Sequence, residues 1–528
     1  MLEIFSFKGL TFLSGISNVT GIANETKEVA MSHNCCTCLS RRHCLGLLSS
    51  AAVGLTLGKE AQASLWGSRK PAPDYVDSSK LRPKPKVRVA AVILEQKRPY
   101  WLGWPGTTYD LDGHQKEYRA KLDDSCRRLG IDVECEAKPI EEETSINAFI
   151  NKVKDNKPDG ILITLQHMGC WKWAGTITKE TGIPVIIFAP VGTAFVGHVD
   201  KISRQPGVHV VSSLEWSAVE NGLRMIRAKR MYEETRVLWI RGDKREDTVM
   251  DRLGLKVRAI PRSTFNELFD KMLVTEEVRD VSSDMRSGAK KIVEPTKEDC
   301  LNAARVYTTA KRLLADEQAN ALTMDCLGMV SSKLVPTPPC GAWARFQDEG
   351  ITAGCEADMH GATSLMLSSY LLDRPGYMND PVPETAKNLF IASHCVSGTR
   401  LRGFDKPHAP YILRDHSESS LGVSLQVLWP VGEPITLVRF TNPNEMIVDT
   451  GTVVSNVNTP PAGGCRTSVE IKMNNIEDAR DVKGFHQVVV LGNHMQIIEG
   501  FCQLYGINVV HSPEHTEHQK TEPSKPKA

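Results

Sequence analysis

Gly350-Ile351-Thr352-Ala353-Gly354-Cys355-Glu356-Ala357-Asp358-Met359-His360-Gly361-Ala362 is the stretch of this 528-residue sequence that points most directly to a chemistry. Ile351–Cys355 reads as a short strand and Ala357–Leu372 as the helix after it, which puts Glu356 at the C-terminal end of a strand. Ligands of open α/β sheets bind there. Taken alone, a carboxylate in that place serves equally well to meet the positive end of a helix dipole. Further polar groups occupy comparable places. Tyr377-Met378-Asn379 leads to Asp380, and Pro381 then breaks regular structure. The strand Leu389–Ser393 ends at His394. The strand Gln487–Leu491 is followed by Gly492-Asn493-His494, after which a helix begins around Met495–Tyr505. Each histidine by itself reads as well as a structural residue. Together, two carboxylates and two imidazoles suit a divalent metal with mixed oxygen and nitrogen ligands, with manganese the expected ion. The scarcity of thiolates argues against a structural zinc site.

The elements that must position these groups follow from periodicity. Val87–Leu94 is a largely apolar run, the pattern of a buried parallel strand. Helix Gln115–Leu129, strand Ile131–Glu136, helix Ser145–Lys154, strand Gly160–Thr164, helix Thr176–Thr181 and strand Pro184–Phe188 alternate at βαβ spacing, the signature of an open α/β sheet. The pattern restarts with helix Ala218–Tyr232 and strands Arg236–Ile240, Lys256–Ile260 and Ala321–Asp325. Thr296 is the expected N-cap of the helix Cys300–Ala315, with Asp299 three residues on. From about Val423 short β-type runs punctuated by Pro430, Gly432, Pro434 and Pro443 take over, which predicts an antiparallel β domain. The expected class is therefore α/β, with two open parallel-sheet (flavodoxin/Rossmann-like) domains over 87–215 and 216–350. A metal-site segment and C-terminal antiparallel β-rich domain follow over 351–512. Residues 64–86 read as a linker, and 513–528 as a polar, disordered tail carrying His515 and His518.

With 64 basic and 63 acidic side chains the net charge is +1, so nothing in the balance calls for nucleic acid or an anionic membrane as partner. A small-molecule ligand fits better. The 14 cysteines form no CxxC pair or zinc-ribbon spacing beyond the N-terminal crowd of Cys35, Cys36, Cys38 and Cys44, and read as reduced, mostly buried thiols. No GxGxxG or P-loop signature indicates an organic cofactor.

The segment around Cys355-Glu356-Ala357-Asp358, then Asp380-Pro381, Ser393-His394-Cys395 and Gly492-Asn493-His494, resembles the L-fucose isomerase and L-arabinose isomerase group in ligand order and spacing. Thr323-Met324-Asp325-Cys326-Leu327, and Pro339-Cys340 ahead of Asp348-Glu349-Gly350, resemble the same group. The resemblance runs from about Val87 to Val510. It implies two α/β domains with a C-terminal β-rich domain, and a homo-oligomer in which a neighbouring subunit can complete the site. It implies aldose–ketose isomerisation of a free monosaccharide through an enediolate, with Glu356 and Asp380 as metal ligands that also move protons and His494 as a third ligand. His394 matches the second histidine of the arabinose isomerases. A metal chelating the carbonyl and neighbouring hydroxyl stabilises the enediolate, and a carboxylate carries the proton between carbons.

Two aromatic loops, Tyr100-Trp101-Leu102-Gly103-Trp104 and Gln166–Trp173, follow strands of the first sheet and could stack on a sugar or form a structural cluster. His408, Arg414 and His416 read as an exposed polar loop able to line a pocket. At the N-terminus, Arg41-Arg42 precede an uncharged run from Cys44 to Gly58 and an Ala61-Gln62-Ala63 cleavage pattern. That order of regions predicts a twin-arginine signal over 1–63 and export to the periplasm, or a cytoplasmic protein if the signal is unused. Met31 is an alternative start. No other segment is long and apolar enough to span a membrane. An exported sugar-binding protein that closes two lobes on its ligand, and a catalytically degenerate isomerase fold, are the competing readings.

Overall fold

Val87–Leu94 carries one charged residue in eight and is buried at most positions. That pattern forces a strand covered on both faces and hence a parallel sheet with helices above and below. The structure, a computed structural model, describes residues 75–100 and 104–513. In it β1 (Val87–Leu94), β2 (Ile131–Cys135), β3 (Gly160–Leu165), β4 (Val185–Pro190) and β5 (Val208–Ser213) form a parallel sheet in the order β2-β1-β3-β4-β5. A second sheet is built from β6 (Arg236–Ile240), β7 (Glu246–Met250), β8 (Leu255–Ile260) and, beyond a two-residue β9 (Lys291–Ile292), β10 (Ala321–Met324) and β11 (Thr352–Gly354). Its order is β11-β10-β6-β8-β7, parallel except for β7 at the edge.

The antiparallel part begins earlier than Val423. β12 (Tyr377–Glu384) and β13 (Leu389–His394) already belong to a seven-stranded sheet in the order β16-β19-β12-β13-β18-β17-β20. Its members β16 (Pro434–Asn442) and β17 (Glu445–Asn456) also pair with each other, so the sheet curls towards a barrel. β18 (Thr467–Met473), β19 (Gln487–Leu491) and β20 (Asn508–Val510) complete it. β14 (Tyr411–Arg414) and β15 (Ser424–Val427) pair with β9 in a small separate sheet.

Pro381 does not end its strand. β12 pairs with β19 over Tyr377–Asn379 and with β13 over Asp380–Glu384. Pro381 and Pro383 therefore lie where the strand has lost one neighbour, the position a residue without N–H tolerates. Arg414 also departs from expectation. It is buried in β14, paired with Glu294 at 2.7 Å and bonded to Gln426, and is not part of an exposed loop. His416 is buried beside it, whereas His408 is half exposed and bonded to Thr399.

Helix Met359–Leu372 joins the two kinds of sheet. All its residues except His360 are buried, so it is apolar all round, as a helix enclosed by protein must be. It packs against β11, β16, β19 and the helix Trp216–Glu234. Its C-cap, Asp373, adopts a left-handed backbone (φ 50°) and accepts from Arg82, Arg224 and Arg227. Arg82 comes from the stretch expected to be a linker. Within it Leu81 and Pro83 are buried, and Arg82 donates to Ser369 O and Asp373. The described cysteines, Cys126 to Cys502, are free thiols. Among the described residues no helix is long and apolar enough to cross a membrane. The signal over 1–63, most of the linker, Trp101–Gly103 and the tail histidines lie outside the described residues.

Asp373→Ala is expected to lower stability by about 2–3 kcal/mol, the scale for hydrogen bonds to a charged partner left unsatisfied. Denaturant unfolding of the two proteins measures it.

Candidate metal centre

Glu356 leaves the end of β11 in a conformation that residues with a Cβ avoid. Its φ is 56° and that of Ala357 is 54°. Two consecutive left-handed residues cost of order 1–3 kcal/mol each, and such strain persists only where neighbours over-determine it. Here they do. Ala357 donates its N–H to Met324 O at 2.9 Å, and Trp239 Nε1 donates to Ala357 O at 2.6 Å. Trp343 Nε1 donates to Gly354 O at 3.1 Å from below. The helix then starts at Met359 with Asp358 as its N-cap, Oδ1 accepting from Gly361 N at 3.0 Å.

The turn delivers the Glu356 carboxylate to two imidazoles. His486 Nε2 lies 3.3 Å from Glu356 Oε2 and 3.2 Å from Asp380 Oδ1. His394 Nε2 lies 3.7 Å from Glu356 Oε1. Glu356, His394 and His486 each offer a ligand atom within 4.8 Å of the others. Neighbouring vertices of an octahedron with 2.1 Å bonds are about 3 Å apart, which the 3.2 and 3.3 Å separations at His486 Nε2 approach. Two buried atoms in the cluster, His486 Nε2 and Asp380 Oδ1, have no hydrogen-bond partner. Buried polar atoms are rarely left so, and convergent lone pairs are what a cation satisfies. The residues fit a divalent metal with mixed oxygen and nitrogen ligands.

Asp358 sets the direction of His486. Its Oδ2 accepts from His486 Nδ1 at 3.0 Å and from Arg439 Nη1 at 2.6 Å, and Arg439 also donates to His486 O at 3.1 Å. That bond leaves Nε2 facing Glu356 and Asp380, the arrangement by which carboxylates orient metal-binding histidines.

Electrostatics point the same way. The neighbouring His394 and His486 imidazoles hold the Glu356 carboxyl down to about 2 against its burial. Burial alone would depress His486, but Asp358, Asp380 and Glu356 outweigh it and raise the imidazole to about 11. His394 is depressed by burial and raised, on balance, by Glu356 and Asp380. For Asp358 burial pushes upward, and His486 and Arg439 bring its carboxyl well below the usual range. The cluster therefore attracts positive charge, as protons or as a bound cation.

Of the four residues expected from the sequence, the structure brings together Glu356, Asp380 and His394. His494 is placed elsewhere. It is the N-cap of helix Met495–Tyr505, with Nε2 against Leu491 O at 2.9 Å. Burial and the nearby Arg374 depress it to about 4. It lines a separate cavity of about 960 Å³ with Arg82, Arg374 and Phe404. His486, which the sequence reading did not select, stands in its place. The reason is strand direction. β12 and β19 are antiparallel with Asn379 opposite Gln487, so Asp380 and His486 follow at the same edge. His494 lies past the other end of β19, about 17 Å of strand away. The rule that ligands gather at C-terminal strand ends belongs to parallel sheets.

The aromatic loops of the first sheet form their own cluster. Tyr100 meets His167 edge-on at 4.8 Å, Trp171 donates to Thr193 O, and an exposed Trp104 stands against Phe195.

No family model matches the chain. Among curated proteins, the sulfoquinovose isomerase of Priestia aryabhattai is 25% identical over 175 residues, covering 32% of this chain and 37% of that protein. That of Priestia megaterium gives the same figures. The sulfoquinovose isomerase of Clostridium sp. (strain MSTE9) is 26% identical over 156 residues, 25% of this chain and 34% of that protein. The chain thus spans about a third of the length of the curated relatives it matches. An ABC transporter solute-binding protein from Burkholderia multivorans overlaps 48% of this chain and 86% of its own at 11% identity, but a TM-score of 0.17 carries no argument.

The two histidines give a direct check. His486→Ala is expected to lower divalent-metal affinity at least about tenfold, while His494→Ala leaves it within about twofold, as read by equilibrium dialysis with metal analysis.

Proposed function

We propose that this protein is a metal-dependent sugar isomerase that interconverts an aldose and a ketose. The observation that carries the reading is the convergence of Glu356, His394, His486 and Asp380 with buried, unpartnered donor atoms. The partial likeness to sulfoquinovose isomerases supports it independently.

The chemistry needs a proton removed from the carbon beside a carbonyl and returned to its neighbour. A divalent cation in this site, manganese by its ligand set, would supply a Lewis acid for the oxygens on which negative charge develops. Glu356 and Asp380 both lie beside His486 Nε2, at 3.3 and 3.2 Å. One carboxylate takes the proton and the pair returns it to the adjacent carbon. Their acceptor character at neutral pH follows for Glu356 from its depressed pKa. Asp358 and Arg439 orient His486 and keep it from swinging out of the cluster. The substrate is a free monosaccharide, and sulfoquinovose is the first sugar to assay. Export through a twin-arginine signal and assembly into a homo-oligomer belong to the same proposal.

The test is metal content together with ketose formation on a panel of aldoses, using the full chain supplied with manganese. Glu356→Gln and Asp380→Asn are each expected to slow turnover by about 10²–10⁴-fold. Stoichiometric metal without turnover of any sugar would favour a degenerate isomerase fold, and sugar binding without metal would favour a binding protein.

A further inference from the structure

The C-terminal edge of the second sheet runs past the metal ligands to a row of charged residues that the isomerisation does not use. Glu356 follows β11, Asp325 follows β10, Arg241 follows β6 and Arg262 follows β8. Backbone bonds stitch the row together: Ala357 N to Met324 O at 2.9 Å, Asp325 N to Ile240 O at 3.0 Å, Arg241 N to Ile260 O at 3.0 Å, and Arg262 N to Gly242 O at 3.1 Å. Arg241 is therefore two strand spacings, about 10 Å, from the Glu356–Ala357 turn.

Arg241 is the unusual member. Its neighbours have partners. Arg236 donates to Glu317 O, Arg245 and Arg258 share the Glu317 carboxylate, Arg252 donates to Asn444, and Arg262 pairs with Asp325 at 3.1 Å. Arg241 is exposed, and among the described residues its guanidinium has no ion pair or hydrogen bond. Yet it is not loose. Its guanidinium carbon sits over the Trp239 ring, 3.2 Å from the centroid. Residues two apart on a strand share a face, which makes the stack possible. The indole is itself fixed, because its Nε1–H is bonded to Ala357 O at 2.6 Å. A guanidinium stacked by its face keeps its N–H edge free for a planar or tetrahedral anion. One link, Trp239, ties that edge to the turn that carries Glu356. Of the row's two positive and two negative side chains, Arg262 and Asp325 pair with each other.

We propose that Arg241 binds an anionic group, a sulfonate or phosphate on the far end of the sugar, while the carbonyl end lies at Glu356 and Asp380. This rests on the isomerase reading of the metal site. Arg241 is then a specificity residue that selects negatively charged aldoses over their neutral counterparts.

The experiment measures binding by calorimetry to the manganese-loaded protein for a hexose 6-sulfonate, a hexose 6-phosphate and the unmodified hexose, with Arg241→Gln and Arg241→Lys beside the parent protein. The expected result is a preference of the parent for one or both anionic sugars that weakens with added salt. In Arg241→Gln that preference falls roughly ten- to a hundredfold, the usual loss for a charge-assisted hydrogen bond. Arg241→Lys keeps the charge without the fork and falls between. Which anion is held tighter separates the sulfonate from the phosphate. Equal binding of neutral and anionic sugars by the parent, or an unchanged preference in Arg241→Gln, overturns the proposal. Metal content and turnover are read separately, so loss of isomerase activity on every sugar would count against the reading of the metal site while leaving the binding comparison to decide on Arg241.

Discussion

The carboxylate of Asp358 is the interaction on which the rest of the site depends. One oxygen caps the helix Met359–Leu372. The other accepts from His486 and from Arg439. The helix adjoins the second α/β sheet through β11, whereas Arg439 lies in β16 of the antiparallel sheet and His486 directly precedes its β19. A single half-buried side chain thus closes the seam between the two layers and fixes the orientation of the imidazole that faces Glu356 and Asp380. Each bond is charge-assisted, the stronger kind, and each is shielded from water by the buried helix beneath it.

Around that seam the protein concentrates negative charge without the basic residues that usually neutralise it. Glu356, Asp358 and Asp380 all face His486, and Arg439 answers only Asp358. Asp373, by contrast, is matched by Arg82, Arg224 and Arg227. The imbalance is costly unless a cation is present, and the strained Glu356–Ala357 turn adds to that cost. Strain and uncompensated charge in one place mark a site shaped for binding rather than for stability.

Much of the fold was legible in the sequence for one physical reason. Strands of a parallel sheet are buried on both faces, so β1, β3, β4, β6 and β10 read as apolar runs between amphipathic helices. Edge strands such as β7, whose residues are largely exposed, carry no such signal and were not foreseen. The small sheet of β9, β14 and β15 was equally hidden, since Arg414 and His416 look solvated until Glu294 and Gln426 are brought to them from distant parts of the chain. Glu356 and His394 could be selected because each ends an apolar strand. Asp380 was selected as well, although Pro381 does not stop its strand as the sequence suggests.

The sequence by itself determined part of the chemical inventory and its local settings: a carboxylate on the turn after β11 and an imidazole at the end of β13. Local rules of strand, turn and helix suffice for these, because every atom involved lies within a few residues. Tertiary structure alone decided which histidine joins them. His486 and His494 flank the same five-residue strand, and the choice between its two ends follows from the antiparallel register of β19 on β12. The placing of Arg241 on Trp239, and of Trp239 on Ala357, has the same origin. These are contacts across neighbouring strands whose order, β11-β10-β6-β8-β7, no local pattern encodes.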